Sequence, residues 1–105
     1  MKIEKYLLMH STAARVAAKK LGIEPPTHHA LATLAAISIV HPIHYSALYR
    51  YMDDRHYNSH ATLYRSLTYL LEAKLIDRSD YTYRLSPLGR EYLTRIRKYL
   101  LNVRL

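Results

Sequence analysis

The side chains with the most chemistry in this chain of 105 residues crowd the start of one amphipathic segment. Asn58, Ser59, His60, Thr62 and Arg65 stand where a helix would begin, and Ser66 and Tyr69 follow on its polar side. An arginine there can grip O6 and N7 of a guanine through two parallel N–H donors. Asn58 and Ser59 can donate to phosphate, helped by the backbone amides of a helix start. Arg65 has a plain alternative as a solvated cation, or as a partner of Glu72 or an aspartate. Tyr64 is expected to pack at the edge of the core, and Tyr69, two turns along, to touch backbone or solvent. A second polar group, Arg78, Tyr81 and Arg84, sits on the hairpin that follows.

Other chemistries are poorly supplied. Six histidines, His28, His29, His41, His44, His56 and His60, fall between residues 28 and 60. His56 and His60 have the four-residue spacing that puts two metal ligands on one helical face. A turn is expected to separate them, the chain has no cysteine, and no helical carboxylate pair completes a set, so no metal is expected. The two glycines, Gly22 and Gly89, cannot make a phosphate-cradling loop. No nucleophile–base–acid pattern stands out. The expectation is a non-enzyme without a cofactor.

The elements that must position these groups follow from periodicity. Residues 2–21 read as a helix with Ile3, Leu7, Ala14, Ala17 and Leu21 near one stripe, stopped by Gly22. Pro25-Pro26 is a rigid linker, and Thr27 caps a helix over 28–40 that is apolar nearly all round, hence central and buried. His41-Pro42 ends it, because the residue before proline is pushed out of the helical region. Ile43-His44 is a short extended piece. Residues 45–53 form a third helix with Leu48 and Met52 inward, and 54–59 form a turn. Ser59 caps a fourth helix, about 60–73, with Leu63, Leu67, Leu70 and Leu71 on one face. A hairpin of 75–78 and 82–85 turns at Ser79-Asp80-Tyr81, with Ile76, Tyr83 and Leu85 able to face the core. Ser86-Pro87 then starts a helix to about Asn102, with Leu88, Tyr92, Ile96, Tyr99 and Val103 as its stripe.

This order is that of a winged helix-turn-helix: mainly α with a small β wing. The expected organisation is one domain over 1–105, with an N-terminal helix (1–22), the helix-turn-helix and wing (27–86) and a C-terminal helix (87–105). Sixteen Lys/Arg against eight Asp/Glu give a net charge of +8, and the pI is about 9.8. Such a surface attracts polyanions, nucleic acid before anionic membrane. The charge is uneven. Residues 1–22 hold five Lys/Arg against one Glu, and 91–105 hold four against one, whereas 43–90 hold seven against five. The flanking helices therefore carry most of the attraction, either as DNA-facing surface or as ordinary solvated faces. No stretch approaches the roughly 18 apolar residues of a membrane span, and the N-terminus does not read as a signal peptide. The expected setting is cytoplasmic, in association with the nucleoid.

Residues 42–93 resemble the PadR branch of the winged-helix transcriptional regulators, with MarR-type regulators as more distant relatives. Pro42-Ile43-His44-Tyr45 resembles the family's Pro-Leu-His-Gly-Tyr start of the first helix-turn-helix helix. Thr62-Leu63-Tyr64-Arg65-Ser66-Leu67 resembles the Thr-Leu-Tyr-x-x-Leu of its recognition helix. Leu75-Ile76 and Tyr83-Arg84-Leu85-Ser86-x-x-Gly89 match the Gly-Leu-Ile and Tyr-x-Leu-Thr-x-x-Gly of its wing. Four departures accompany these matches. Lys74 replaces a glycine, so that turn must close another way. The glycine beside His44 is missing, the wing is short, and helix 2–21 precedes the family's usual start.

The resemblance implies a homodimer through the terminal helices, with a recognition helix in each major groove of double-stranded DNA and the wing toward the minor groove or backbone. The DNA-contact candidates are Asn58, Ser59, His60, Thr62, Arg65, Ser66, Tyr69, Arg78, Tyr81 and Arg84. The expected activity is that of a sequence-specific transcriptional regulator, most simply a repressor, with no effector assigned. Two alternatives are a winged helix used as a protein-interaction or replication accessory module, and a non-specific nucleic-acid binder.

Overall fold

A computed structural model describes residues 3–53 and 59–103, with side chains over 12–53 and 59–99. The chain runs α1 (Ile3–Leu21), α2 (His28–Ile39), β1 (Ile43–His44), α3 (Tyr45–Asp53), α4 (His60–Glu72), β2 (Ile76–Ser79), β3 (Thr82–Leu85) and α5 (Pro87–Val103). The fold is mainly helical, with one small antiparallel sheet in the order β1-β3-β2. The register pairs Ile43 with Tyr83 and Ile76 with Leu85. All four are buried, so one face of the sheet closes the core while its alternate residues stay outside.

Helix α2 is central because almost every side of it is apolar. Thr27 caps it, its Oγ1 accepting from the Ala30 amide at 3.2 Å. Leu31, Leu34 and Ile37 are buried with four other residues of the helix. The one polar member, Thr33, donates to the His29 carbonyl at 2.8 Å, which removes the cost of an unpaired buried hydroxyl. The expectation of a wholly buried helix fails at its end. Ile39 is 65 % exposed and Val40 50 % exposed, because the chain leaves the core there toward His41-Pro42. α2 ends at Ile39, with Val40 as an extended cap.

The terminal helices pack on each other, and α1 packs also on α2. Ala13, Ala14, Ala17 and Ala18 of α1 are all buried. Their small side chains let α5 approach closely with Tyr92 and Ile96, which are also fully buried. The Tyr92 hydroxyl donates to the Ala14 carbonyl at 2.9 Å, so the ring fills the seam and its polar tip is satisfied. Both helices thus build the core of a single chain.

Helices α1 and α4 end in the same way. After α1, the Ile23 amide reaches the Ala18 carbonyl (3.0 Å) and Gly22 reaches Lys19 (3.2 Å). After α4, Leu75 reaches Leu70 (2.9 Å) and Lys74 reaches Leu71 (3.1 Å). Both are Schellman closures, which need one left-handed residue past the helix. Gly22 supplies it with φ 71°, and Lys74 supplies it with φ 62°. This is how the chain turns without glycine at position 74.

Candidate nucleic-acid interface

Helix α4 begins on Ser59, whose Oγ accepts from the Thr62 amide at 3.3 Å while its carbonyl accepts from Leu63. The next residue, His60, is held by α3. Its Nδ1 lies 2.9 Å from the Tyr45 hydroxyl. Its ring stacks on Tyr49 with centroids 3.8 Å apart and planes 2° apart. His60 therefore joins α4 to α3 with its Nδ1 edge and one ring face already engaged. Burial, then the neighbouring Tyr83 and Tyr49, raise the Tyr45 hydroxyl above its ordinary pKa. The Tyr45 amide also donates to the Tyr81 carbonyl at 2.8 Å. One residue thus ties the start of α4 to the tip of the hairpin.

The rotation of α4 decides which side chains can meet a ligand. Leu63, Ser66, Leu67 and Leu70 face inward, at i, i+3, i+4 and i+7. Ser66 is 4 % exposed and cannot reach DNA, contrary to the expectation for it. Tyr69 is also withdrawn: it is half-buried, and its hydroxyl donates to the Glu24 carbonyl in the α1–α2 linker. Burial, with Glu24 adding to it, pushes its pKa up to about 12. Its hydroxyl thus tethers α4 to the α1–α2 linker.

The outward side carries Ala61, Tyr64 and Arg65, all exposed, with Thr68 half-exposed. Tyr64 is 69 % exposed, which corrects the expectation that it packs at the core edge. Arg65 makes no hydrogen bond or ion pair with a described residue. The ion pair found among them is Arg95–Glu91 at 3.1 Å, not Arg65–Glu72. Arg65 lines the shallow grooves on both sides of Tyr69, one reaching Lys74 and Leu88, the other Thr27 and Thr62. Thr62 is half-buried beside it. Tyr64 is the residue that sequence reasoning missed. At about 3.6 residues per turn, leucines at 63, 67 and 70 leave 61, 64, 65 and 68 on the far side.

The hairpin turns through two residues, Asp80 and Tyr81, with Asp80 left-handed at φ 55°. β2 begins one residue later than expected and takes in Ser79, which pairs with Thr82. Arg78 Nε donates to the Asp80 carbonyl at 2.6 Å, and its guanidinium lies 5.9 Å from the Tyr81 ring centre. It braces the tip on which Tyr81 is 63 % exposed. Arg84 is exposed and pairs in register with Asp77 across the hairpin. β1 pairs as far as Thr82, so the tip projects little beyond the sheet. Asn58 and His56 lie outside the described residues. Among those described, no three His, Asp or Glu side chains group as a metal ion would require. No helix among them is long and apolar enough to cross a membrane.

The arrangement presents a helix start, an exposed guanidinium, an exposed phenol and a braced hairpin tip on neighbouring elements. Those groups can donate to phosphate and to base edges. No family model matches this chain, and no curated protein or solved structure matches it.

Proposed function

We propose that the chain is a winged helix-turn-helix protein that binds double-stranded DNA and regulates transcription by occupying its site. In this reading α3 and α4 are the helix-turn-helix, α4 is the recognition helix and β2–β3 is the wing. The element order α2-β1-α3-α4-β2-β3 and the strand order β1-β3-β2 support it. The observation that carries it is the outward side of α4, where Arg65 stands exposed beside Tyr64 with no partner among the described residues. An exposed guanidinium in that position has donors that a guanine edge can accept from in pairs. The resemblance of residues 42–93 to PadR-type regulators points the same way and adds a two-fold dimer. Since α1 and α5 bury their inner sides within one chain, a second copy would meet other parts of those helices.

Selection of bound sequences from a random duplex pool tests this, with the mass of the complex measured alongside. The expected result is one enriched motif, arranged as two half-sites about one helical turn apart if the dimer forms. Failure to retain any duplex at low salt would end the DNA reading and favour use of the α4 face against another protein.

A further inference from the structure

The outer side of α5, with the end of α1 beside it, lies apart from the proposed recognition surface of α4 and the hairpin. α5 carries Arg90, Thr94 and Lys98 at i, i+4 and i+8, with Arg97 alongside. A shallow groove along the helix is lined by Arg90, Thr94 and Lys98 among others. The three cations are exposed and make no hydrogen bond or ion pair with a described residue. On α1, Arg15, Lys19 and Lys20 are exposed as well. Glu91 is the acid on the described part of α5, and Arg95 neutralises it at 3.1 Å. The fold brings these two basic segments together. The buried alanines of α1 and Tyr92 and Ile96 of α5 form the seam, which leaves the cations on the solvent side.

We infer that this ridge is a second DNA-binding surface, one that holds the phosphate backbone of a duplex without regard to sequence. The chemistry fits that class of ligand. Flexible cations on a helix face neutralise phosphates and release counterions, but they carry no base code. From Arg90 to Lys98 the helix advances about 12 Å, so its cations meet several phosphates of one strand. The division of charge agrees, with six Lys/Arg against five acids over 43–89 but five against one over 90–105. The surface shares no residue with α4 or the hairpin and does not depend on the proposed recognition role.

The test is a variant of the full chain carrying Arg90→Gln, Arg97→Gln and Lys98→Gln, replacements that keep good helix propensity. Its affinity for a duplex of arbitrary sequence is measured over a range of salt. The expected result is a slope of log K against log[salt] shallower by about 2.7, from about 0.9 for each phosphate that the variant no longer neutralises. An unchanged slope with a normally folded variant would overturn the proposal. Acylation of surface lysines in the wild-type chain gives a second readout that needs no variant. Lys98 should be protected by bound duplex, and full reactivity of Lys98 in the complex would refute the assignment. Binding of the chain to anionic phospholipid vesicles but not to duplex would also refute it. A shallower slope without any motif from the selection experiment would uphold the ridge and remove the regulator reading.

Discussion

Helix α4 begins in the open and ends in a joint, and the two ends are built by opposite rules. At its start Ser59 and Arg65 are exposed, and His60, set against Tyr45 and Tyr49, holds the helix without covering its outer side. At its end Leu75 is fully buried. The Ser86 hydroxyl donates to the Lys74 carbonyl at 2.7 Å and accepts from the Gly89 amide at 2.9 Å. The Ser86 amide donates to the Leu75 carbonyl at 3.1 Å. The turn after α4 and the start of α5 are thus one hydrogen-bonded unit. A helix fixed at one end offers the other at a defined angle, as a binding helix requires.

The largest effect should fall on the joint. A Cβ on Gly89 would sit 2.0 Å from the Leu75 carbonyl oxygen and 2.9 Å from a Leu85 methyl carbon. Backbone on one side leaves no cheap relief, so Gly89→Ala should cost about 3 kcal/mol in urea unfolding. A normal midpoint would show that the joint yields and the two ends differ less than they look. At the open end, Arg65→Ala should leave the unfolding free energy within about 0.5 kcal/mol of wild type. It should weaken binding to the selected duplex by about 1–3 kcal/mol and relax base choice there. Equal loss on every duplex would reduce Arg65 to a phosphate contact.

The two capping serines sharpen the comparison. Ser86→Ala removes two hydrogen bonds at the joint and should cost about 1–2 kcal/mol. Ser59→Ala removes an exposed cap and should cost about 0.5–1 kcal/mol. Equal losses in thermal melts would contradict the asymmetry. The smallest effect has the opposite sign. Lys74 holds a left-handed φ that disfavours any residue with a Cβ, so Lys74→Gly should raise stability by about 0.5–1 kcal/mol. A fall would mean that the lysine stem contributes packing that outweighs its strain.

Much of this architecture is legible in the residue pattern. The helix starts at Thr27, Ser59 and Ser86 and the stop at Gly22 follow from side chains that bond to their own backbone within three or four residues. Such local interactions need no knowledge of the rest of the chain. The errors on α4 concern the direction in which the helix is turned and what reaches it from other elements. Ser66 and Tyr69 are polar and are expected outside, and Tyr64 is expected at the core edge; the structure reverses Ser66 and Tyr64 and leaves Tyr69 half-buried. The leucine spacing holds the correct answer for Ser66 and Tyr64. Tyr69 depends on Glu24, a partner 45 residues away. His60 likewise depends on Tyr45 and Tyr49, across a turn whose course no spacing rule gives.

By itself the sequence determined which segments are helices and strands, the basic balance and the location of its cations, because these depend on neighbours along the chain. It also marked Gly89 through a resemblance, without a reason for it. Only the tertiary structure supplied the reason, a carbonyl from Leu75 where a side chain would go. It also decided that α1 and α5 bury their inner sides together and leave cations such as Lys19 and Lys98 facing water, that the Tyr69 hydroxyl is tied to the linker, and that Arg65 has no partner among the described residues. Those outcomes depend on contacts between residues distant in sequence, and periodicity within one helix cannot say what the next helix will cover.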